Sequence, residues 1–196
     1  MTRILLDEGD VRAATLSLTP PPFIGRRARP RSARKREGLR YEAKAQKEFQ
    51  RRYGNAYVPS PWFKYLRGSC DMRPYWCQPD GMIVLPQESR IILIEMKLHH
   101  TPDAWDQLFR LYRPVVLSWL REAPGPWEVE CVEVVRWFDP AVETPTASVL
   151  REEPLDAYGG NFCVHIWHPR LGSEGRAERP PPLETPKSHK SLARFL

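Results

Sequence analysis

The chain has no apolar run approaching the roughly 18 to 20 residues that a membrane span requires, and its 196 residues show no internal repeat. Its start, Met1-Thr2-Arg3-Ile4-Leu5-Leu6-Asp7-Glu8, is interrupted by acids before a signal-peptide core can form. A soluble, intracellular, cytoplasmic protein is therefore expected, with no membrane partner. Cysteine is scarce: Cys70, Cys77, Cys131 and Cys163 form no tight pair, which argues for reduced thiols over a disulfide framework. Only Cys70 and Cys77 are near each other, and their separation is too wide for a zinc site.

What is present suits one compact domain with extensions. Hydrophobic residues make up 41% of the chain, enough for a single core. Residues 1–37 hold a short apolar start, Pro20-Pro21-Pro22 and an arginine-rich run. That composition predicts a flexible basic arm. Residues 172–196, rich in Pro, Ser, Arg and Lys, read as a flexible tail, leaving 38–171 as the folded domain. Basicity is concentrated in Arg26, Arg27, Arg29, Arg31, Arg34, Lys35, Arg36 and Arg40. Against them stands one acid, Glu37, a net +7 in a chain whose total is +6. Such a cluster is suited to neutralising the phosphates of a nucleic acid, with salt-dependent, sequence-independent affinity.

Within the domain, Gly38 to Tyr53 has helical periodicity, with Glu42, Ala45, Gln46, Phe49 and Tyr53 on one stripe. A carboxylate there sits either at the rim or against a charged site. Gly81 to Leu85 and Arg90 to Leu98 are β-rich runs joined by Pro86-Gln87-Glu88-Ser89, a hairpin. The second run is apolar up to Glu95, as expected for a central strand buried on both faces. Thr101-Pro102-Asp103 starts a helix, with Thr101 at the cap, that runs to about Leu120 and is kinked by Pro114. Trp127 to Phe138 and Asn161 to Trp167 read as two further strands. The elements add up to an α/β fold: a mixed β-sheet flanked by helices.

A hairpin symmetric about Gln87 and Glu88 sets Asp80 opposite Glu95, with Cβ atoms roughly 4.5 to 5.5 Å apart. Lys97, two residues on, shares the face of Glu95, and Met96 points away. Facing carboxylates repel unless a divalent cation lies between them, and oxygen ligands suit Mg²⁺ or Mn²⁺. A neighbouring ammonium would then position an attacking water or stabilise developing negative charge. Those residue types together point to phosphodiester hydrolysis.

Pro79-Asp80 followed by Glu95-Met96-Lys97 resembles the signature of the PD-(D/E)XK nuclease superfamily, over a region from about Gly38 to Tyr112. The resemblance implies a restriction-endonuclease-like core. It makes Asp80 and Glu95 metal ligands together with the main-chain carbonyl of Met96, and gives Lys97 the task of assisting the water. Glu42 matches an acidic residue that family members often carry on the preceding helix. Gln107 matches the glutamine of RecB-like members; Tyr112 follows at five residues where those members have a tyrosine at four. The small size and long extensions are in keeping with a phage or other mobile element, acting in the host cytoplasm.

His99 extends the alternation of Glu95 and Lys97, and His100 adjoins it. His165-x-x-His168 has metal-like spacing, but a strand turns the two apart. Trp62, Phe63, Tyr65 and Arg67, in a loop-like stretch, are candidates for stacking on bases or touching phosphates. The function expected is a Mg²⁺- or Mn²⁺-dependent nuclease acting on DNA, with RNA, a protein partner and self-association left open. The alternative is a catalytically silent nucleic-acid-binding or assembly protein on the same fold.

Overall fold

The computed structural model describes residues 5–17, 19–21, 32–68, 73–139, 141–142, 148–151 and 162–169. Arg26, Arg27, Arg29 and Arg31, Cys70, and the tail 172–196 lie outside them. Among the described residues no helix is long and apolar enough to cross a membrane.

The fold is mixed α/β. Strands β1 (Val11–Ser17), β3 (Trp62–Arg67) and β4 (Tyr75–Cys77) form a sheet in the order β1-β3-β4. A six-stranded sheet adds β2 (Tyr57–Pro59), β5 (Gly81–Leu85), β6 (Arg90–His99), β7 (Glu128–Trp137), β8 (Ser148–Arg151) and β9 (Phe162–Ile166), in the order β2-β5-β6-β7-β9-β8. The pairs β2/β5 and β5/β6 are antiparallel, whereas β6/β7, β7/β9 and β8/β9 are parallel. The helices are α1 (Ala33–Tyr53), α2 (Pro102–Gln107) and α3 (Arg113–Leu120), the last two joined by a π-helical turn, Leu108–Tyr112.

β6 is the interior strand its composition predicts. Strand periodicity turns Ile92, Ile94 and Met96 to one face, where they pack with Tyr41, Ala45, Phe49 and Tyr53 of α1. Ile91 and Leu93 face the other way, into a core with Leu108, Tyr112, Val115 and Val116. α3 is covered in turn by the three-stranded sheet, through Val11, Phe63 and Tyr65. Each fully buried aliphatic or aromatic side chain of this kind contributes roughly 1.5 to 3 kcal/mol.

Pro114 explains the π-helical turn. It has no N–H to offer the Arg110 carbonyl, and the wider turn accommodates its ring. Leu6 N–H donates to that carbonyl at 2.6 Å, tying the N-terminal segment to the helix. Leu6 itself is 1% exposed.

Several expectations are corrected here. The division at residue 37 matches no element boundary, because β1 pairs with β3 and α1 begins at Ala33, with the Ser32 side chain accepting from Lys35 N–H. Arg34, Lys35, Arg36 and Arg40 are thus exposed helical residues. The stretch holding Trp62, Phe63, Tyr65 and Arg67 is a strand and not a loop, with Phe63 and Tyr65 buried. Thr101 occupies the cap position of α2 without a side-chain capping bond; its N–H donates to Glu133 Oε1 instead.

β2–β3 and β4–β5 together form one hairpin that crosses from sheet to sheet. Tyr57, Val58 and Pro59 pair with Ile83, Met82 and Gly81 in the large sheet; Phe63, Lys64 and Tyr65 pair with Cys77, Trp76 and Tyr75 in the small one. The same register runs through both halves, so at the bend Ser60 stands opposite Asp80, and Pro61 opposite Pro79. Two facing prolines supply no N–H to a ladder, which is why regular pairing stops there.

Candidate active site

The β5/β6 register pairs Gly81 with Ile94 and Leu85 with Arg90, the symmetric hairpin expected from the sequence. Asp80 lies just before β5, where the ladder ends and β6 runs on alone along that edge. Its Oδ2 accepts the Met96 N–H at 2.7 Å, a β6 donor beyond the β5 ladder. Its carbonyl accepts from Ser60 N–H at 3.1 Å and from Gln46 Nε2 at 3.1 Å. Gln46 Nε2 also lies 2.9 Å from Ser60 Oγ and 3.5 Å from Glu42 Oε1. Ser60 takes a left-handed backbone, φ 46°. For a residue other than glycine that conformation is strained, and it occurs here at the bend that aims Asp80.

Glu95 is 3% exposed. Its Oε1 is 2.5 Å from Lys97 Nζ, and its Oε2 is buried without a hydrogen-bond partner. Burial pushes its carboxyl up to about 8, and repulsion from Asp80 adds to this; Lys97 opposes the shift without cancelling it. Lys97 Nζ donates also to Gln107 Oε1 at 2.9 Å, and Gln107 Nε2 donates to Tyr112 Oη at 3.4 Å. The Tyr112 phenol, buried under the site, is held well above its ordinary range by desolvation.

Asp80, Glu95, Glu42, Gln107 and Tyr112 line one cleft of about 390 Å³, shared with Pro20, Ser60, Trp62 and Gln78. Five of the residues singled out in the sequence are thus brought together across α1, the β4–β5 bend, β6, α2 and the π-helical turn. Lys97 joins them through its two hydrogen bonds. Met96 buries its side chain toward α1 and gives its N–H to Asp80. His99 is exposed at the end of β6 and is not among the cleft residues. Arg34, Lys35, Arg36 and Arg40 lie along α1 and outside the cleft.

Sequence reasoning missed a buried pair on the Glu95 side of the sheet. Glu133 is the β7 partner of Glu95 in the parallel register, is 0% exposed, and has Oε2 2.5 Å from His100 Nδ1. Burial raises its carboxyl, while His100 and the Thr101 N–H draw it down. Glu133 stands between Val132 and Val134 in β7, and an acid set between two valines was the available signal. Ser60 left no comparable one, and Gln46 was legible only as a member of the α1 stripe that carries Glu42.

Two observations bear on whether these residues suit a divalent cation. The buried, unpartnered Glu95 Oε2 and the repulsion between Glu95 and Asp80 are relieved by a hard cation at that point. Among the described residues, however, no three or more His, Cys, Asp or Glu side chains form a metal-holding group. The donor set offered is two carboxylates, so waters and substrate oxygens have to complete the shell, as is usual for Mg²⁺. On that reckoning the residues fit the ion.

Compared with family models, with curated proteins and with solved structures, the chain matches none.

Proposed function

We propose that the chain is a Mg²⁺- or Mn²⁺-dependent nuclease that hydrolyses phosphodiester bonds of DNA, on a restriction-endonuclease-like core of the PD-(D/E)XK type. The observation that carries this reading is the convergence of Asp80, Glu95 and Lys97 on one cleft edge, with a buried carboxylate oxygen left unpartnered.

Asp80 and Glu95, with the Met96 carbonyl, would hold the ion, which when bound neutralises substrate phosphate and lowers the pKa of a water. Lys97 Nζ is held between Glu95 and Gln107, so its remaining N–H is available to orient the attacking water or to stabilise charge on the phosphorus centre. The water oxygen forms a bond to phosphorus and one P–O ester bond breaks. The leaving oxygen is protonated, and the proton lost by the water passes to solvent. Gln46 and Ser60 contribute by holding the Asp80 main chain, which limits the freedom of the carboxylate.

The test is cleavage of single-stranded, linear duplex and circular DNA with Mg²⁺ or Mn²⁺, with EDTA, Asp80→Ala and Glu95→Ala as controls, and with matched RNA as a further arm. Cutting that needs the metal and is lost in both variants supports the nuclease. DNA binding without cutting, and without a Mn²⁺ site by calorimetry, would replace it with the catalytically silent binding protein.

A further inference from the structure

The hairpin bend places Trp62 beside the carboxylates. Trp62 is the first residue of β3, immediately past Ser60 and Pro61, and it lines the same cleft as Asp80 and Glu95. The structure sorts it from the neighbouring aromatics. Phe63 and Tyr65 point into the core, at 0% and 2% exposed. Arg67 is engaged too, with its guanidinium 5.5 Å from the Tyr75 ring.

Four other tryptophans have ring partners: Trp105 stacks on Phe109, Trp119 meets Phe63, Trp137 meets His168, and Trp167 meets Tyr41. Trp62 is half-buried, and among the described residues its indole has no ring partner. Trp62 lines a cleft whose other walls are mainly carboxylates and amides, which offer an indole little apolar surface to pack on. It suits a flat, neutral ligand.

Resting on the nuclease reading, we infer that Trp62 is a specificity-determining residue, whose indole stacks on one unstacked base of single-stranded DNA next to the bond to be cut. Every base has a π-face, so such stacking is indifferent to sequence. Inside a duplex, both faces of a base are covered by its neighbours, and an enzyme reaches it only after extruding it. A cleft of about 390 Å³ is near the lower end of ligand cavities, which run from about 300 to 1,000 Å³. It has room for one nucleotide unit. The substrate is therefore a single strand or a frayed end in preference to intact duplex.

The experiment compares wild type, Trp62→Leu and Trp62→Phe. Fluorescence anisotropy in Ca²⁺ is read with a labelled oligothymidylate and with a blunt duplex of the same length, and cleavage of both is read in Mg²⁺. Thermal melts establish that the variants are folded; leucine keeps an apolar side chain there but removes the ring. For the single strand, Trp62→Leu is expected to weaken binding by about tenfold, the lower-to-middle range for loss of one stacked base, while Trp62→Phe retains most of the affinity. Duplex affinity is expected to change little. Equal weakening on both substrates, or none on the single strand, overturns the stacking role. Wild-type protein that binds the single strand but cuts neither substrate overturns the nuclease reading instead, and the binding comparison still judges Trp62.

Discussion

The Ser60 N–H donates to the Asp80 carbonyl across 3.1 Å, at the point where one hairpin leaves the six-stranded sheet and enters the three-stranded one. The residue expected to hold the metal is thus also the bend residue of that hairpin. Its carboxylate reaches forward to Met96 N–H while its carbonyl is gripped from behind by Ser60 and Gln46. Small changes in this bend should be felt as changes in the site.

Gly81 follows Asp80, and the Tyr57 ring lies over it. A Cβ at position 81 would sit 2.6 Å from Tyr57 Oη and 2.7 Å from Cε2. Tyr57 is 3% exposed and has little room to retreat. Gly81→Ala is expected to destabilise the protein by about 1 to 3 kcal/mol through overpacking, and to lower cleavage further by displacing Asp80. Adding Tyr57→Leu should restore much of the melting temperature. An unchanged melt for Gly81→Ala alone would contradict the close approach.

Lys97 is held by two acceptors, of which Glu95 is the proposed metal ligand and Gln107 is not. Gln107→Ala should let the ammonium swing and lower kcat by about tenfold with little effect on KM, a loss of positioning only. Lys97→Ala should cost about 100-fold or more in kcat, since the charge itself is gone, while DNA affinity persists. Steady-state cleavage kinetics measure both. A large rise in KM with kcat intact would show that Lys97 binds substrate and does not assist the chemistry.

Removing residues 1–36 would not isolate the basic segment, because it also removes β1, the buried Leu6 and the Ser32 cap. Replacing Arg34, Lys35, Arg36 and Arg40 with glutamine is cleaner, since all four are exposed on α1. The melting temperature should stay within a degree or two. The slope of log affinity against log salt should fall by about 0.9 for each duplex phosphate that is no longer neutralised, and by about 0.7 on a single strand. An unchanged slope, measured by anisotropy over a salt series, would show that these four residues do not touch the DNA.

His165 on β9 is 2% exposed, and its Nδ1 has no partner. Burial, with a smaller push from Arg52, lowers its pKa to about 4. Unfolded, the same imidazole titrates near 6.5. Above about pH 6.5 both states are neutral and nothing is lost. As pH falls from about 6.5 towards 4 the unfolded chain takes up a proton that the native one refuses, so native stability declines, by at most about 3 kcal/mol. Denaturant melts from pH 7 to 4 should show this decline in wild type and a flatter profile in His165→Leu. Parallel profiles would assign the acid sensitivity to other groups.

Much of the site could be read without coordinates because it is local. Strand alternation puts Glu95 and Lys97 on one face, hairpin symmetry brings Asp80 to Glu95, and helical spacing groups Glu42 with Phe49; each depends only on neighbours in sequence. The same local rules identified β5, β6, β7, β9 and most of α1. They failed for β3, whose residues Trp62 to Arg67 read as a loop-like stretch, and for β4, which went unread, although the two continue a hairpin through the bend at Pro61 and Pro79. They failed for β1 as well, since a short strand that exists by pairing with Arg67 to Trp62 has little signal of its own.

Sequence alone therefore determined which carboxylates and which lysine share a strand end, because backbone geometry repeats every two residues whatever surrounds it. Tertiary structure decided how those groups behave. The elevated carboxyl of Glu95 comes from burial beneath a helix and a second sheet. The grip of Ser60 and Gln46 on Asp80, Gln107 on Lys97, and Glu133 beside Glu95 are contacts between distant segments. Desolvation and long-range hydrogen bonds depend on where the chain returns in space, and no local pattern encodes that.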